Sequence, residues 1–368
     1  MDFSLNEIQT MLSDSVEKFV RNDYGFDNRQ KYSASELGYS AEVWRTFAEL
    51  GWTAVPFSEA DGGFDGGPIE MMVMMQQFGR GLIVEPYLEN VVLAGGALRR
   101  IANESQKARW LQPLIGGELQ ATLAFAEPQS GYDFGNIETT AVDNGDGWLI
   151  NGRKGVVLNG GNAGLLIIPA VTQAGISLFA VGGHAEGVVR RSYPTVDGHQ
   201  AAEIELRNVQ VEADAMLGED GDAYAVLDAV LDEATLAVCA EAVGIMQILT
   251  DKTVEYSKNR VQFGVPIGSF QALQHRMVDM LTACEQSYSL LIWAAMTATE
   301  GSDEAKQALS SIKYHIGTAG QKVGQEAVQI HGGMGVSWDL DIAHYFKRLT
   351  VIGSLFGNAD WHLDKLAL

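Results

Sequence analysis

The chain has little of three things, and each scarcity excludes something. Cysteine occurs twice in 368 residues, at Cys239 and Cys284. Both lie inside helix-like patterns, too few for a disulfide scaffold and without metal-ligand spacing, so a reducing compartment is the simpler expectation and no metal is expected. Long apolar runs are missing too: no stretch approaches the ~20 uninterrupted apolar residues of a membrane span, and the opening MDFSLNEIQTMLSDSVEKFV has neither the arginine-rich nor the apolar character of a targeting segment. Cations are the third scarcity. Against 47 Asp and Glu stand 25 Lys and Arg, a formal charge of −22, which argues against nucleic acid and against diffuse attachment to anionic membrane. The expectation is a cytoplasmic protein in which any anionic ligand is held by local cations and backbone amides.

What is present is enough apolar sequence, 46%, to bury a full core in two or three domains. From Ser4 to about Gly117 apolar residues recur at helical spacing, as in Ile8, Met11, Leu12, Val16 and Phe19. The turn-rich EADGGFDGGP (Glu59 to Pro68) reads as a loop. Between Leu119 and about Leu217 the pattern changes to short β-prone runs such as TLAFAE, WLINGRKGVVLNGG, LLIIPA and ISLFAV. Helical periodicity returns after GEDGD (Gly218 to Asp222) and holds almost to Leu368. The expected division is a helical segment 1–118, a β-domain 119–222 and a helical segment 223–368.

Two glycine-bearing segments break the last helical region: YSKNRVQFGVPIGSFQALQHRMVDM (Tyr256 to Met280) and QIHGGMGV (Gln329 to Val336). In the first, Tyr256 and Arg260 share a helical face, and Phe263 and Gly264 follow where the helix must break before Pro266. A guanidinium can clamp a diphosphate with paired hydrogen bonds while Phe263 offers a flat apolar surface. A surface Arg at a helix end is equally compatible with this segment taken alone. In the second, Gly332, Gly333 and Gly335 would each cost about 1 kcal/mol inside a helix, so the backbone freedom serves a purpose there. A helix-to-helix turn is the plain alternative, with His331 a hydrogen-bonded turn residue.

Together and in this order, the two segments resemble the C-terminal domain of the acyl-CoA dehydrogenase family. The resemblance runs nearly end to end, through MDFSLNEIQ, ELGWTAVPFSEADGG, AEPQSGYD, NGRKGVVLNGG, RVQFGVPIGSFQALQHRMVDM and QIHGGMG. It implies an α+β multidomain fold with an N-terminal helical domain, a middle β-barrel-like domain and a C-terminal four-helix bundle. It also implies FAD as cofactor, an acyl-CoA thioester as substrate and an electron-transfer protein as acceptor. By the same resemblance Arg260, Phe263, Gln329, Gly332 and Gly333, with Gln271 and Gln274 as lesser candidates, reach across an interface to the FAD of a neighbouring subunit.

The positions that would serve the chain's own flavin depart from the family pattern. Where the family has Thr and Ser in AEPQSGYD stand Ala126 and Tyr132, and where it sets Trp and Thr against the flavin ring stand Val156 and Leu158, with neither indole nor hydroxyl. The base position after an aromatic, Phe356, is Gly357. The alternative base position in an earlier helix falls on Ala234 before Thr235. Other carboxylates near these positions are Glu233, Glu241 and Asp360. The resemblance therefore leaves three readings. The chain is the base-lacking subunit of a heteromeric (α2β2) dehydrogenase of the kind that acts on steroid side-chain or dicarboxylyl thioesters, or a self-sufficient dehydrogenase with a displaced carboxylate, or a flavin-free acyl-CoA-binding scaffold.

Overall fold

A computed structural model describes residues 5–298 and 302–367, so Ser4, where the first helical pattern was expected to begin, lies outside the described residues. The chain forms two compact units: Met1–Gln30 with Gly67–Ile83 and Thr235–Leu368, and Lys31–Gly66 with Val84–Ala234.

The first unit is helical. It contains α1 (Glu7–Asn22), the start of α2 (Phe26–Ser33), α4 (Pro68–Gly81), most of α8 (Tyr224–Asn259), α9 (Gln271–Thr297), α10 (Asp303–His331), α11 (Asp341–Ser354) and α12 (Ala359–Ala367). Asn6 caps α1 and closes a reciprocal bond with Gln9, which satisfies two of the end amides a helix cannot pair internally. The middle of α8 is apolar around its circumference, with Leu236, Val238, Val243, Ile245 and Met246 all buried, the mark of a central helix. Glycine lets α4 approach it closely: a Cβ at Gly244 would strike the Gln76 carbonyl, and one at Gly79 the Glu241 carbonyl. Helix α10 packs on α9, α11 and α12. A two-residue hairpin, β9 (Val261–Gln262) and β10 (Val265–Pro266), separates α8 from α9.

The second unit holds a mixed eight-stranded sheet: β1 (Ala121–Leu123), β2 (Thr140–Asp143), β3 (Gly147–Leu158), β4 (Leu165–Val171), β5 (Ile176–Gly182), β6 (Val188–Pro194), β7 (Gln200–Glu212) and β8 (Met216–Leu217). The order is β6-β7-β3-β2-β4-β5-β8, with β1 parallel to β4. Ile150, Val157, Leu166, Ile168, Phe179, Ile204 and Leu206 pack into one apolar core. The helices of this unit are α3 (Ala41–Glu49), α5 (Gly96–Ile101), α6 (Glu104–Gln106) and α7 (Gln112–Ile115), with π-helical runs at Leu88–Gly95 and Lys107–Leu111. The expected loop over Glu59 to Pro68 carries one 3-10 turn, Glu59–Asp61, capped by Ser58.

Candidate functional site

Helix α8 ends where the sequence breaks it. The Arg260 amide donates to the Tyr256 carbonyl at 2.8 Å and the Ile267 amide to the Arg260 carbonyl at 2.8 Å, so Arg260 stands at the base of the β9–β10 hairpin. Phe263 and Gly264 form its tip with φ of +54° and +81°. Two consecutive left-handed residues between paired strands make a type I′ turn, which favours Asn-Gly and for which a bulky side chain is an outlier. Phe263 is 93% exposed, and its nearest ring is Phe270, edge-on at 6.2 Å. The Arg260 side chain is exposed and has no partner among the described residues. Gln271 opens α9 and is exposed; Gln274, one turn later, donates to the Gly268 carbonyl at 2.8 Å.

The second segment ends α10. Gln329, Gly332 and Gly333 are exposed. Gly332 has φ +61° and ψ −139°, its amide bonded to the Gln329 carbonyl, a backbone region essentially limited to glycine. A Cβ at either Gly332 or Gly333 would meet nothing within 4 Å. His331 is buried and stacks on Tyr256, ring centroids 4.3 Å apart at 28°. Its Nδ1 sits 2.8 Å from the Ala327 carbonyl. Since a carbonyl only accepts, that nitrogen carries the proton, and burial pushes the ring's pKa down. Thus the two segments, separated by some seventy residues in the chain, are joined by a ring pair. A guanidinium, an exposed flat ring and a turn bare of side chains suit an adenosine diphosphate moiety.

The position expected for the base is closed. Gly357 lies in the turn between α11 and α12 with φ +111°, preceded by Phe356 at φ +55°. A Cβ there would strike the Trp361 ring and come within 2.7 Å of His362 Nε2. Its carbonyl accepts from Lys313 Nζ at 2.6 Å. Lys313 is wholly buried, and burial pushes its pKa down to about 8. His362 is buried beside it, donating from Nε2 to the Phe356 carbonyl at 3.2 Å, with Nδ1 3.3 Å from the Ser310 hydroxyl. Burial, then the Lys313 charge, depresses the His362 pKa to about 3. Sequence reasoning did not single out Lys313. A lysine among Ile312 and Ile316, on the apolar face of α10, was the available signal.

The other carboxylates are committed to arginines or exposed. Glu241 is buried and clamped by Arg348, Nε to Oε1 at 2.6 Å and Nη2 to Oε2 at 2.7 Å. In the second unit Glu233 is held by Arg99 at 2.7 Å and Arg100 at 3.0 Å, while Ala234 is buried. Asp360 is exposed in the first turn of α12.

The strand face expected to meet the chain's own flavin is in the second unit. Val156 is 54% exposed with φ +49°, at a break in register between β3 and β7. A β-branched residue in that conformation is strained by about 1–3 kcal/mol. Leu158 is buried. Neither offers the hydroxyl or indole N–H that the resemblance sets against a flavin edge, so these two side chains do not fit that role. The AEPQSGYD loop is held elsewhere, by Glu127. Glu127 accepts from Lys154 Nζ at 2.6 Å and from the Thr139 hydroxyl at 2.6 Å. Both side chains of that ion pair are essentially buried. Burial works to raise the Glu127 pKa, but Lys154 and hydrogen bonds from Lys154, Thr139 and Gln129 overcome it and hold the carboxyl at about 2.

Among the described residues no cluster of three or more His, Cys, Asp or Glu is arranged to hold a metal ion, and no helix is long and apolar enough to cross a membrane. Three family models match the chain in order: the acyl-CoA dehydrogenase N-terminal domain over residues 6–118, the middle domain over 122–209 and the C-terminal domain over 223–367. A probable acyl-CoA dehydrogenase, YngJ, of Bacillus subtilis is 30% identical, the match covering 91% of this chain and 90% of the relative. Among solved structures, the ChsE4-ChsE5 complex from Mycobacterium tuberculosis superposes with a TM-score of 0.91 at 27% identity, covering 100% of this chain and 98% of the other. PigA with FAD and proline gives 0.92 at 26% identity, with coverage of 100% and 98%. The chain belongs to the acyl-CoA dehydrogenase family, the FAD-dependent oxidoreductases of acyl-CoA thioesters.

Proposed function

We propose that this chain is the base-lacking subunit of a heteromeric acyl-CoA dehydrogenase, and that its C-terminal helices hold an FAD that works in a catalytic partner chain. The observation that carries the reading is Gly357: at φ +111°, against Trp361 and His362, the position has neither a carboxylate nor room for one. The reaction needs a carboxylate to take the α-proton of the thioester, and in this reading the partner supplies it. FAD, when bound, would supply the acceptor for the β-hydride, with an electron-transfer protein as its onward acceptor. This chain's share is binding and orientation. Arg260 would meet the phosphates, Phe263 the adenosine, and the open backbone at Gly332 and Gly333 would let the cofactor approach, with Gln329, Gln271 and Gln274 at the margin. The outward surface thus suits a cofactor that the Val156 and Leu158 side chains do not. A relative solved as a two-component complex, ChsE4-ChsE5, supports the same assembly.

The test is the flavin-to-chain ratio. Expressed alone, the chain is expected to purify nearly colourless and without dehydrogenase activity. Co-expressed with a second dehydrogenase-like chain, it is expected to carry one FAD per pair of chains. A yellow, active assembly of this chain by itself would overturn the reading in favour of a displaced base. Asp360 is the carboxylate to change first, since Glu233 and Glu241 are already tied to arginines. Absence of the 450 nm flavin band from every assembly would leave a binding scaffold.

A further inference from the structure

We infer that the stacked pair Tyr256–His331 is a positioning device that fixes the Arg260 hairpin and the Gly332–Gly333 turn relative to each other, so that both address one cofactor. The inference depends on the reading that this surface holds FAD. The backbone of the two arms is hydrogen-bonded locally, but their outward side chains and bare glycines have little to hold them against each other. Arg260 has no partner among the described residues, Phe263 projects into solvent, and both turn glycines face open space. Beneath them, each ring of the pair is one covalent step or one helical turn from an arm. Tyr256 lies one turn before Arg260, whose amide it accepts at 2.8 Å, and His331 directly precedes Gly332.

One polar atom of each ring is spent on backbone. His331 Nδ1 donates to Ala327 within its own helix at 2.8 Å, which sets the ring's tilt. The Tyr256 hydroxyl reaches from α8 to the His331 carbonyl at 3.4 Å, at the residue where α10 gives way to the turn. The ring faces then supply a contact between the helices, at 4.3 Å and 28°, a stacked pairing that aromatic rings favour beyond their mere burial. A separate ion pair between α8 and α11, Lys252 with Asp341 at 2.8 Å, adds its charges to the surroundings of His331. A surface built to bind through two arms gains affinity when the arms are preorganised, because the ordering cost is met before the ligand arrives.

The experiment uses whichever assembly carries the flavin, stripped of it and titrated with FAD by fluorescence quenching and with ADP by calorimetry, alongside thermal melting. Tyr256→Leu and His331→Gln, which remove the stack, are expected to weaken both ligands roughly tenfold. Tyr256→Phe and His331→Phe, which keep two rings, are expected to stay within about threefold of the parent. Arg260→Ala serves as the reference for the site itself. If Arg260→Ala weakens binding while Tyr256→Leu and His331→Gln lower only the melting temperature, the pair is packing and the inference fails alone. If His331→Phe binds as poorly as His331→Gln, the stack is not the cause and the inference fails. If Arg260→Ala changes nothing, the cofactor reading fails and takes the inference with it. Should Tyr256→Leu not fold, the two His331 variants decide by the same comparison.

Discussion

At the scale of single residues, the proposed reading turns on Gly357, where the expected base is absent. Adding a carboxylate there is not a repair. Gly357→Glu must place a side chain in a left-handed backbone against Trp361 and His362, and is expected to lower stability by about 2–4 kcal/mol while restoring no proton abstraction, as read by calorimetry and by an acyl-CoA dehydrogenation assay. His362 beside it makes an acid limb. Its pKa is about 3 in the fold against an ordinary 6.5. The unfolded chain therefore binds the proton first, and stability falls as pH drops from about 6.5 towards 3. His362→Gln is expected to flatten that part of a melting-temperature profile taken against pH.

At the scale of elements, the β9–β10 hairpin and the Glu127–Lys154 pair show opposite priorities. The hairpin keeps Phe263 where an isolated fold would prefer Asn. Phe263→Asn creates the Asn-Gly pair that a type I′ turn favours and is expected to stabilise the chain by about 0.5–1 kcal/mol, while loosening flavin in the assembly, measured as FAD lost on gel filtration. A gain in flavin affinity would contradict the role given to the ring. The Glu127–Lys154 pair is held entirely inside the second unit. Lys154→Met leaves a buried carboxylate without its cation and is expected to cost about 3–5 kcal/mol, most of it recovered in the Glu127→Gln/Lys154→Met double variant.

At the scale of the whole molecule, a formal charge of −22 works against compactness. Raising salt from about 10 mM to about 200 mM shortens the Debye length from roughly 30 Å to under 10 Å and is expected to raise the melting temperature, read by scanning calorimetry. Much of the architecture was legible from sequence. The helix–strand–helix order followed from periodicity, and the end of α8 from the run of Phe263, Gly264 and Pro266. The outward aim of Arg260 and Phe263 was legible only through the family resemblance. What periodicity could not show was partnership between distant residues. The Tyr256–His331 stack, the Arg348 clamp on Glu241 and the Lys313 contact to Gly357 each join positions far apart in the chain, and a hydrophobic pattern carries no record of which polar side chain meets which carbonyl. The π-helical run Leu88–Gly95 was hidden for a different reason, since its apolar residues read as an ordinary buried helix.

The hairpin tip also bears on how a cell would handle this protein. A short exposed strand pair ending in Phe263, with Val261 beside it, half exposed, is the sort of unpaired apolar edge that chaperones and proteases recognise on incomplete assemblies. On the proposed heteromeric reading, a chain made in excess of its partner would carry that flag until it was covered. The abundance of such a subunit would then follow the supply of the chain that shelters Phe263, and the two would be held in step without any dedicated regulator.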